Sequence, residues 1–261
     1  MYNTDILNNF ILLSSSNIGR CDINEDRLNS FIIVSKENDP IICFVLCDGV
    51  GSIQYGDLCA ELLCNEISLK IHKLIEEEGR KLFYVRNRQK FKNYFNCLDI
   101  KACQEGASTL TILIANITRF KDGFRFLVLW AGDSRAHIID HELNYHLLTD
   151  DHHDSEGRLT LYYDLLHNNF LGDPSCRYFS FKRLPVAFGV TSDGVHEKCN
   201  EEELRLFLLW FLYKPTDSND KFSEYLSRFL NVNISDNYSA SFLFKKTGAS
   251  MDRLKKILEN K

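Results

Sequence analysis

Ile41-Ile42-Cys43-Phe44-Val45-Leu46-Cys47-Asp48-Gly49-Val50-Gly51 is an apolar run that stops abruptly on an acid and a glycine. Its β-branched and aromatic residues fit a strand central enough to be buried. A strand that ends in Asp48 places a hard oxygen ligand at the rim of a packed core. The pattern recurs along the chain. Val186 to Ser192 ends on Asp193-Gly194, and Asp26 and Asp236 lie in the polar breaks Asn24-Glu25-Asp26 and Ser235-Asp236-Asn237. Several such ends, if they converge, can hold Mg²⁺ or Mn²⁺.

Outward from this stretch, strands come as neighbours. Leu28 to Val34 and Ile41 to Cys47 flank the polar Lys36-Glu37-Asn38-Asp39-Pro40 and predict a hairpin. From Gly56 to Glu78, Leu58, Leu62, Leu63, Ile67, Ile71, Leu74 and Ile75 recur at three- and four-residue spacing, the mark of a helix that Gly79 stops. A second helix is expected over Arg80 to Phe95. Its Arg86, Arg88, Lys90 and Lys92 read as a solvated face rather than an anion site. Further strands are expected over Ser108 to Thr118, Phe124 to Ala131, Arg135 to Ile139, Arg177 to Leu184, Val186 to Thr191 and Tyr238 to Phe244. Asn200 before Glu201-Glu202-Glu203 predicts a capped helix to Tyr213. Lys221 to Leu230 predicts another, and Met251, Leu254, Ile257 and Leu258 outline a short amphipathic helix within residues 246–261. The class is α+β: antiparallel sheets covered by helices.

A chain of 261 residues accommodates one substantial core, so residues 1–261 are expected to form a single domain. Its formal charge of -5 offers no basic footprint for nucleic acid or anionic lipid. Met1 to Asn17 has no basic leader, only the patch Phe10-Ile11-Leu12-Leu13, and does not read as a signal peptide. The longest apolar stretch, Leu206 to Tyr213, is too short to span a bilayer. Nine cysteines without CxxC spacing fit a reduced interior. The expectation is a cytoplasmic protein with neither nucleic-acid nor membrane partner.

Asp-Gly is also a common hairpin turn, and taken singly each acidic site reads most simply as that. Lys121-Asp122-Gly123, with its polar neighbours, is such a turn. The set and its order say more. Asn24-Glu25-Asp26, Leu46-Cys47-Asp48-Gly49-Val50-Gly51, Gly106-Ala107-Ser108-Thr109, Ala131-Gly132-Asp133-Ser134-Arg135, Leu148-Thr149-Asp150-Asp151-His152, Leu171-Gly172-Asp173, Thr191-Ser192-Asp193-Gly194 and Asp236-Asn237 follow one another between Gly19 and Phe244. Together they resemble the successive motifs of the metal-dependent type 2C serine/threonine protein phosphatases, the PPM family. The resemblance implies a four-layer α-β-β-α sandwich with a metal centre at one end of two antiparallel sheets. It also implies hydrolysis of phosphoserine and phosphothreonine on proteins, opposed by a serine/threonine kinase. Asp48 would bridge two ions, Mg²⁺ or Mn²⁺, with the Gly49 carbonyl completing one sphere and Asp193 and Asp236 binding the other ion. Glu25 and Asp26 would orient waters, and Asp133 would help hold a third, weaker ion. Oxygen-only ligands favour these metals over zinc.

Three positions depart from the family pattern. Cys21 stands where a phosphate-gripping arginine is usual, and the nearest arginine is Arg20, which a one-residue bulge would bring into place. Val50 stands where many eukaryotic members carry a histidine proposed as general acid, as in many bacterial relatives. Ser52 replaces a frequent glycine. Cys21 with Arg27, and Cys199 with Arg205, match the Cys-x5-Arg spacing of cysteine-dependent phosphatases. Both loops would put carboxylates inside a phosphate cradle, which excludes them. His152-His153-Asp154 as a separate metal cluster is set aside, because its surroundings read as strand and loop. The competing functional reading is a phosphatase-like domain without turnover that binds a phosphoprotein or regulates a kinase.

Overall fold

Alternation along the strand Pro40–Asp48 explains why its sequence is apolar up to the final acid. The computed structural model describes residues 9–96, 98, 100, 104–230, 236–246 and 251–259. In it β1 is Phe10–Asn17, β2 Asp26–Val34 and β3 Pro40–Asp48. Ile42, Phe44 and Leu46 of β3 point between two sheets, whereas Ile41, Cys43, Val45 and Cys47 point to a helical layer on the other side. Successive side chains of a strand leave on opposite faces, so a strand covered on both must be apolar at every position.

β2 and β3 pair with β5 (Leu110–Phe120), β6 (Gly123–Ala131) and β11 (Ser175–Phe181) in the order β11-β6-β5-β3-β2. The second sheet is β1-β13-β12-β7-β8, with β7 at Arg135–Ile139, β8 at Tyr145–Leu147, β12 at Ala187–Thr191 and β13 at Tyr238–Lys245. Every pairing within these sheets is antiparallel. Phe44, Phe126, Val128, Phe188 and Val190 fill the space between them. Against the outer face of the first sheet lie α1 (Gly56–Glu78), through Leu63, Ile67 and Ile71, and α2 (Arg88–Asn96), through Phe91 and Phe95. The turn helix α3 is Asp193–His196, and α4 (Glu201–Tyr213), α5 (Asn219–Phe229) and α6 (Met251–Glu259) cover Ala240, Phe242 and Phe244 of β13. The layers are therefore α-β-β-α.

Local signals account for most boundaries. α1 begins after Tyr55, whose φ of 57° ends the preceding loop, and stops at Gly79 with φ 53°. Asn200 Oδ1 accepts from the N–H groups of Glu202 and Glu203, and the Asn200 N–H donates to Glu203 Oε2, a capping box worth about 1 kcal/mol. Lys121-Asp122-Gly123 is the β5–β6 turn, where Asp122 accepts from Arg125 Nη2 with both carboxylate oxygens while Arg125 Nη1 donates to the Phe83 carbonyl.

Two readings of the sequence are corrected. The helix expected over Arg80 to Phe95 opens as 3₁₀ turns at Gly79–Phe83 and Val85–Asn87, and α-helix begins only at Arg88. Tyr84 between them is extended, at φ -95° and ψ 127°, which breaks the α-helical ladder. Nor are its cations all solvated: Lys92 is buried, its Nζ 2.6 Å from Asp173 Oδ2. The apolar patch at Phe10 is strand β1, and a small sheet β10-β9-β4 (Asn169–Leu171, Tyr162–Asp164, Ala107–Ser108) was not foreseen. Its strands are two or three residues long, too short to carry a periodic signal. Residues 1–8, Ser235 and the flanks of α6 at 247–250 and 260–261 fall outside the described residues. Among the described residues no helix is long and apolar enough to cross a membrane.

Phe188 is 1 % exposed and meets the rings of Phe44 and Phe126 edge-on at 6.1 and 5.1 Å. Phe188→Ala is expected to cost about 3–5 kcal/mol in urea unfolding, because the two sheets cannot close over the vacated ring. A loss under about 1 kcal/mol would contradict the inter-sheet packing.

Candidate metal centre

Strand register places the acids. Asp48 ends β3 directly opposite Asp26, which starts β2. Asp193 opens α3 just after β12, and Asp236 precedes β13, the strand paired to β12. Both sheets thus deliver carboxylates to the same end of the sandwich. Glu25, Asp48, Gly49, Asp133, Asp193 and Asp236 line one open cleft of about 310 Å³, with Val50 and Thr109 also on its wall. Asp26 lies behind that wall, 2 % exposed.

Two glycines permit this convergence. A Cβ on Gly49 would stand 2.6 Å from the Gly56 carbonyl carbon and 2.9 Å from Glu25 Cβ. On Gly194 it would stand 1.9 Å from the Asn237 carbonyl oxygen. Neither approach tolerates a side chain.

Polar residues to which the sequence reading gave no role hold the acids in place. Asn237, 2 % exposed, accepts the Glu25 N–H at 2.7 Å and donates to the Ile18 and Ile23 carbonyls, tying the loop after β1 to the start of β13. Ser192 donates to Asp26 Oδ2 at 2.9 Å and accepts the Ser239 N–H. Thr109 donates its N–H to the Asp48 carbonyl, while its hydroxyl accepts the Asp48 N–H at 3.3 Å. Asp133 Oδ2 receives His153 Nε2 at 3.0 Å, and His153 also lines the cleft. Arg135 grips Asp151 with two bonds, at 3.0 and 2.6 Å, so Asp151 of the Leu-Thr-x-Asp-His segment braces the wall. The sequence hinted at Asn237, Ser192, Thr109, Arg135 and Asp151 only through their place in the family-like segments.

The electrostatics are those of crowded carboxylates. Burial, then Asp26 and Asp193, hold the Asp48 carboxyl well above the usual range. Burial and the charge of Asp133 push Asp193 up to about 7, and burial raises Asp26 to about 6. Glu25 is raised by burial and then by Asp57. Among the described residues no three acidic, histidine or cysteine side chains enclose an ion by themselves. The donor set nevertheless fits a divalent cation: Asp48 Oδ2 and Asp26 Oδ1 are buried oxygens with no hydrogen-bond partner, inside an all-oxygen cluster of like charge.

Arg20 stands apart from this group. β1 and β13 stay in register through Asn17↔Tyr238, and Arg20 lies beyond that pairing. The chain turns at Gly19, φ 62°, with the Cys21 N–H on the Ile18 carbonyl, leaving Arg20 exposed and off the cleft wall.

A family model for protein phosphatase 2C matches residues 15–243, and the chain belongs to that family. The fold has the same relatives. A C. elegans sex-determining protein superposes with a TM-score of 0.66 at 16 % identity, covering 95 % of this chain and 67 % of its own. Staphylococcus aureus serine/threonine phosphatase Stp1 gives 0.60 at 16 % identity, covering 89 % and 94 %. The catalytic domain of the serine/threonine protein phosphatase PstP, solved in complex with two manganese ions, gives 0.58 at 14 % identity, covering 90 % and 98 %. Comparison with curated protein sequences finds no match.

The raised acids have a measurable consequence. Their folded-state pKa values exceed those of the unfolded chain, so their stabilising contribution to the metal-free protein is present at acid pH and lost as pH rises from about 4 through about 7. Asp48→Asn removes one repelling charge. Without metal at pH 7.5 the variant is expected to melt ~3–6 °C above wild type, a gain of ~1–2 kcal/mol. That difference should fade towards pH 4, and the stabilisation of wild type by Mn²⁺ should be lost in the variant. A metal-free variant that melts below wild type at pH 7.5 would contradict this account.

Proposed function

We propose that the cleft hydrolyses phosphoserine and phosphothreonine monoesters of proteins, using Mg²⁺ or Mn²⁺ held by Asp48, the Gly49 carbonyl, Asp193 and Asp236. One observation carries the reading: among the described residues, carboxylate oxygens of Asp48 and Asp26 are buried without a hydrogen-bond partner where the two sheets deliver their acids. Divalent cations bound there supply the Lewis acidity that makes water a nucleophile near neutral pH and neutralises phosphoryl charge. The chain's own part is positional. Asp48 and Asp193 are fixed by the ends of β3 and β12, and Asp26, held by Ser192, supports Asp48 from behind. Glu25 reaches the cleft with its backbone clamped by Asn237, and is placed to accept a hydrogen bond from water there. Asp133, steadied by His153, is proposed to hold a weaker third ion.

No protein nucleophile is needed, and the thiols suit that role badly. Burial pushes Cys199 up to about 12, and burial with Asp236 and Glu25 raises Cys21. A thiolate at Cys21 would face only carboxylates, and Cys199 is a buried thiol with Glu203 beside it as well as Arg135. The matched residues are proposed to act as one catalytic domain, opposed by a serine/threonine kinase, in a reducing compartment, the cytoplasm. Free buried thiols such as Cys43, Cys47 and Cys64 are in keeping with that placement. A second reading, a domain that binds phosphoprotein or regulates a kinase without turnover, draws on Arg20 lying off the cleft wall.

Purified protein is expected to hydrolyse para-nitrophenyl phosphate with Mn²⁺ or Mg²⁺, to stop in EDTA and to recover when metal returns. Asp48→Asn should lower kcat by about 100- to 1,000-fold. Cys21→Ser and Cys199→Ser should keep most activity; Arg20 is proposed to reach the phosphate of a bound peptide from beside the cleft, so Arg20→Ala should lower kcat/KM on phosphopeptides. Complete inactivity of folded wild type with either metal would favour the binding reading.

Asp133→Ala separates a metal role from a turn role. It should retain the melting temperature and calorimetric binding of the tighter ions while losing most turnover. Lowered melting temperature with normal kcat would assign Asp133 to the Gly132 turn instead.

A further inference from the structure

The small sheet β10-β9-β4 continues the floor of the metal cleft sideways. Gly49 bridges to Ser108 of β4, and Ser108 pairs with Tyr163 of β9. Val50, on the cleft wall, donates its N–H to the Ala107 carbonyl at 3.0 Å. On this extension lies a second groove of about 330 Å³. Ile53, Ala107, Tyr162 and Leu166 form its apolar surface, and Glu105 with Asp164, the latter paired to His167 at 2.9 Å, its polar rim. Leu166 is 47 % exposed although it lines a concavity.

We propose that this groove is a substrate subsite for an arginine or lysine side chain two or three residues from the phosphorylated serine or threonine. Spacing supplies the position. Two inter-strand steps, roughly 10 Å, separate Gly49 from Tyr163, and an extended peptide advances about 3.3 Å per residue. A peptide whose phosphate sits over Asp48 and Asp193 therefore brings its second or third neighbour above the groove. The lining supplies the chemistry: a long basic side chain lays its methylenes on Ile53 and Leu166 and carries its charge to the rim. Glu105 is exposed and has no ion-pair partner among the described residues. Asp164 is kept ionised by the His167 N–H groups, which hold it below the ordinary carboxylate range once its burial is offset. An acidic neighbour on the substrate would meet these two carboxylates and the acids of the cleft, so phosphosites with acidic flanks are disfavoured.

This inference rests on the phosphatase reading, and the test separates the two. Three phosphothreonine peptides are compared, identical except for Arg, Leu or Glu at the second and third positions on both sides. With wild type, kcat/KM is expected to rank Arg above Leu above Glu, the extremes about tenfold or more apart. Glu105→Lys should compress that ranking to within about twofold, and Leu166→Ser should lower the Arg and Leu peptides together, each leaving para-nitrophenyl phosphate turnover unchanged. Fluorescence anisotropy with labelled thiophosphorylated versions reads the same ranking without turnover, so an inactive enzyme still reports on the groove. Equal use or equal binding of the three peptides, a preference for Glu, or a ranking that survives Glu105→Lys overturns the proposal. Loss of para-nitrophenyl phosphate hydrolysis in wild type overturns the catalytic reading instead.

Discussion

Mutual repulsion among buried carboxylates is the constraint around which this molecule is arranged. Asp26 and Asp193 are packed close enough to Asp48 that both raise its proton affinity, and oxygens of Asp26 and Asp48 have no donor to satisfy them. Such a cluster destabilises a fold unless a cation offsets it. Two five-stranded sheets supply the rigidity that holds the acids together, since a strand anchored on both faces cannot swing its last residue away. Gly49 and Gly194 complete the arrangement by letting neighbouring backbone approach within a distance that a side chain would block.

Around the acids, neutral hydrogen-bonding groups fix orientation without adding charge. Asn237 joins three backbone segments, and Ser192 links Asp26 to β13 through Ser239. These bonds are buried, and losing one partner leaves another polar group unsatisfied, which is why such supports tend to act as a unit. On the far wall the Arg135–Asp151 pair and the His153–Asp133 bond brace the loops after β6 and β8. His153 is the imidazole on a cleft wall where Val50 offers only a hydrocarbon surface.

The small sheet links this centre to the outer surface. Because β4 pairs with β9 and bridges to Gly49, the backbone beside the proposed metal ligand is continuous with a groove of different character, apolar with an acidic rim. A reaction centre that engages only a phosphate says little about the polypeptide carrying it, so discrimination among protein substrates has to come from such neighbouring surface.

The sequence by itself determined the strand ends and their acids. The unbroken apolar run to Asp48 required a strand buried on both faces, the spacing from Gly56 to Gly79 marked α1 to its end, and Asn200 with Glu203 marked the start of α4. These signals are local, and local chemistry settles them. What only the tertiary structure decided depends on partners far along the chain. β9 and β10 are too short to be periodic and exist through pairing with β4, and Lys92 is buried because Asp173 meets it across 81 positions. Arg20 lies off the cleft wall because the chain turns at Gly19 just past the last β1–β13 pair, and where that pairing ends depends on two strands rather than on either sequence. Asn237 read as a polar neighbour of an acid until the fold brought Ile18, Ile23 and Glu25 to it. Hydrogen bonds at that separation leave no periodic trace in the chain, because their geometry is set only when the two sheets close on a common core.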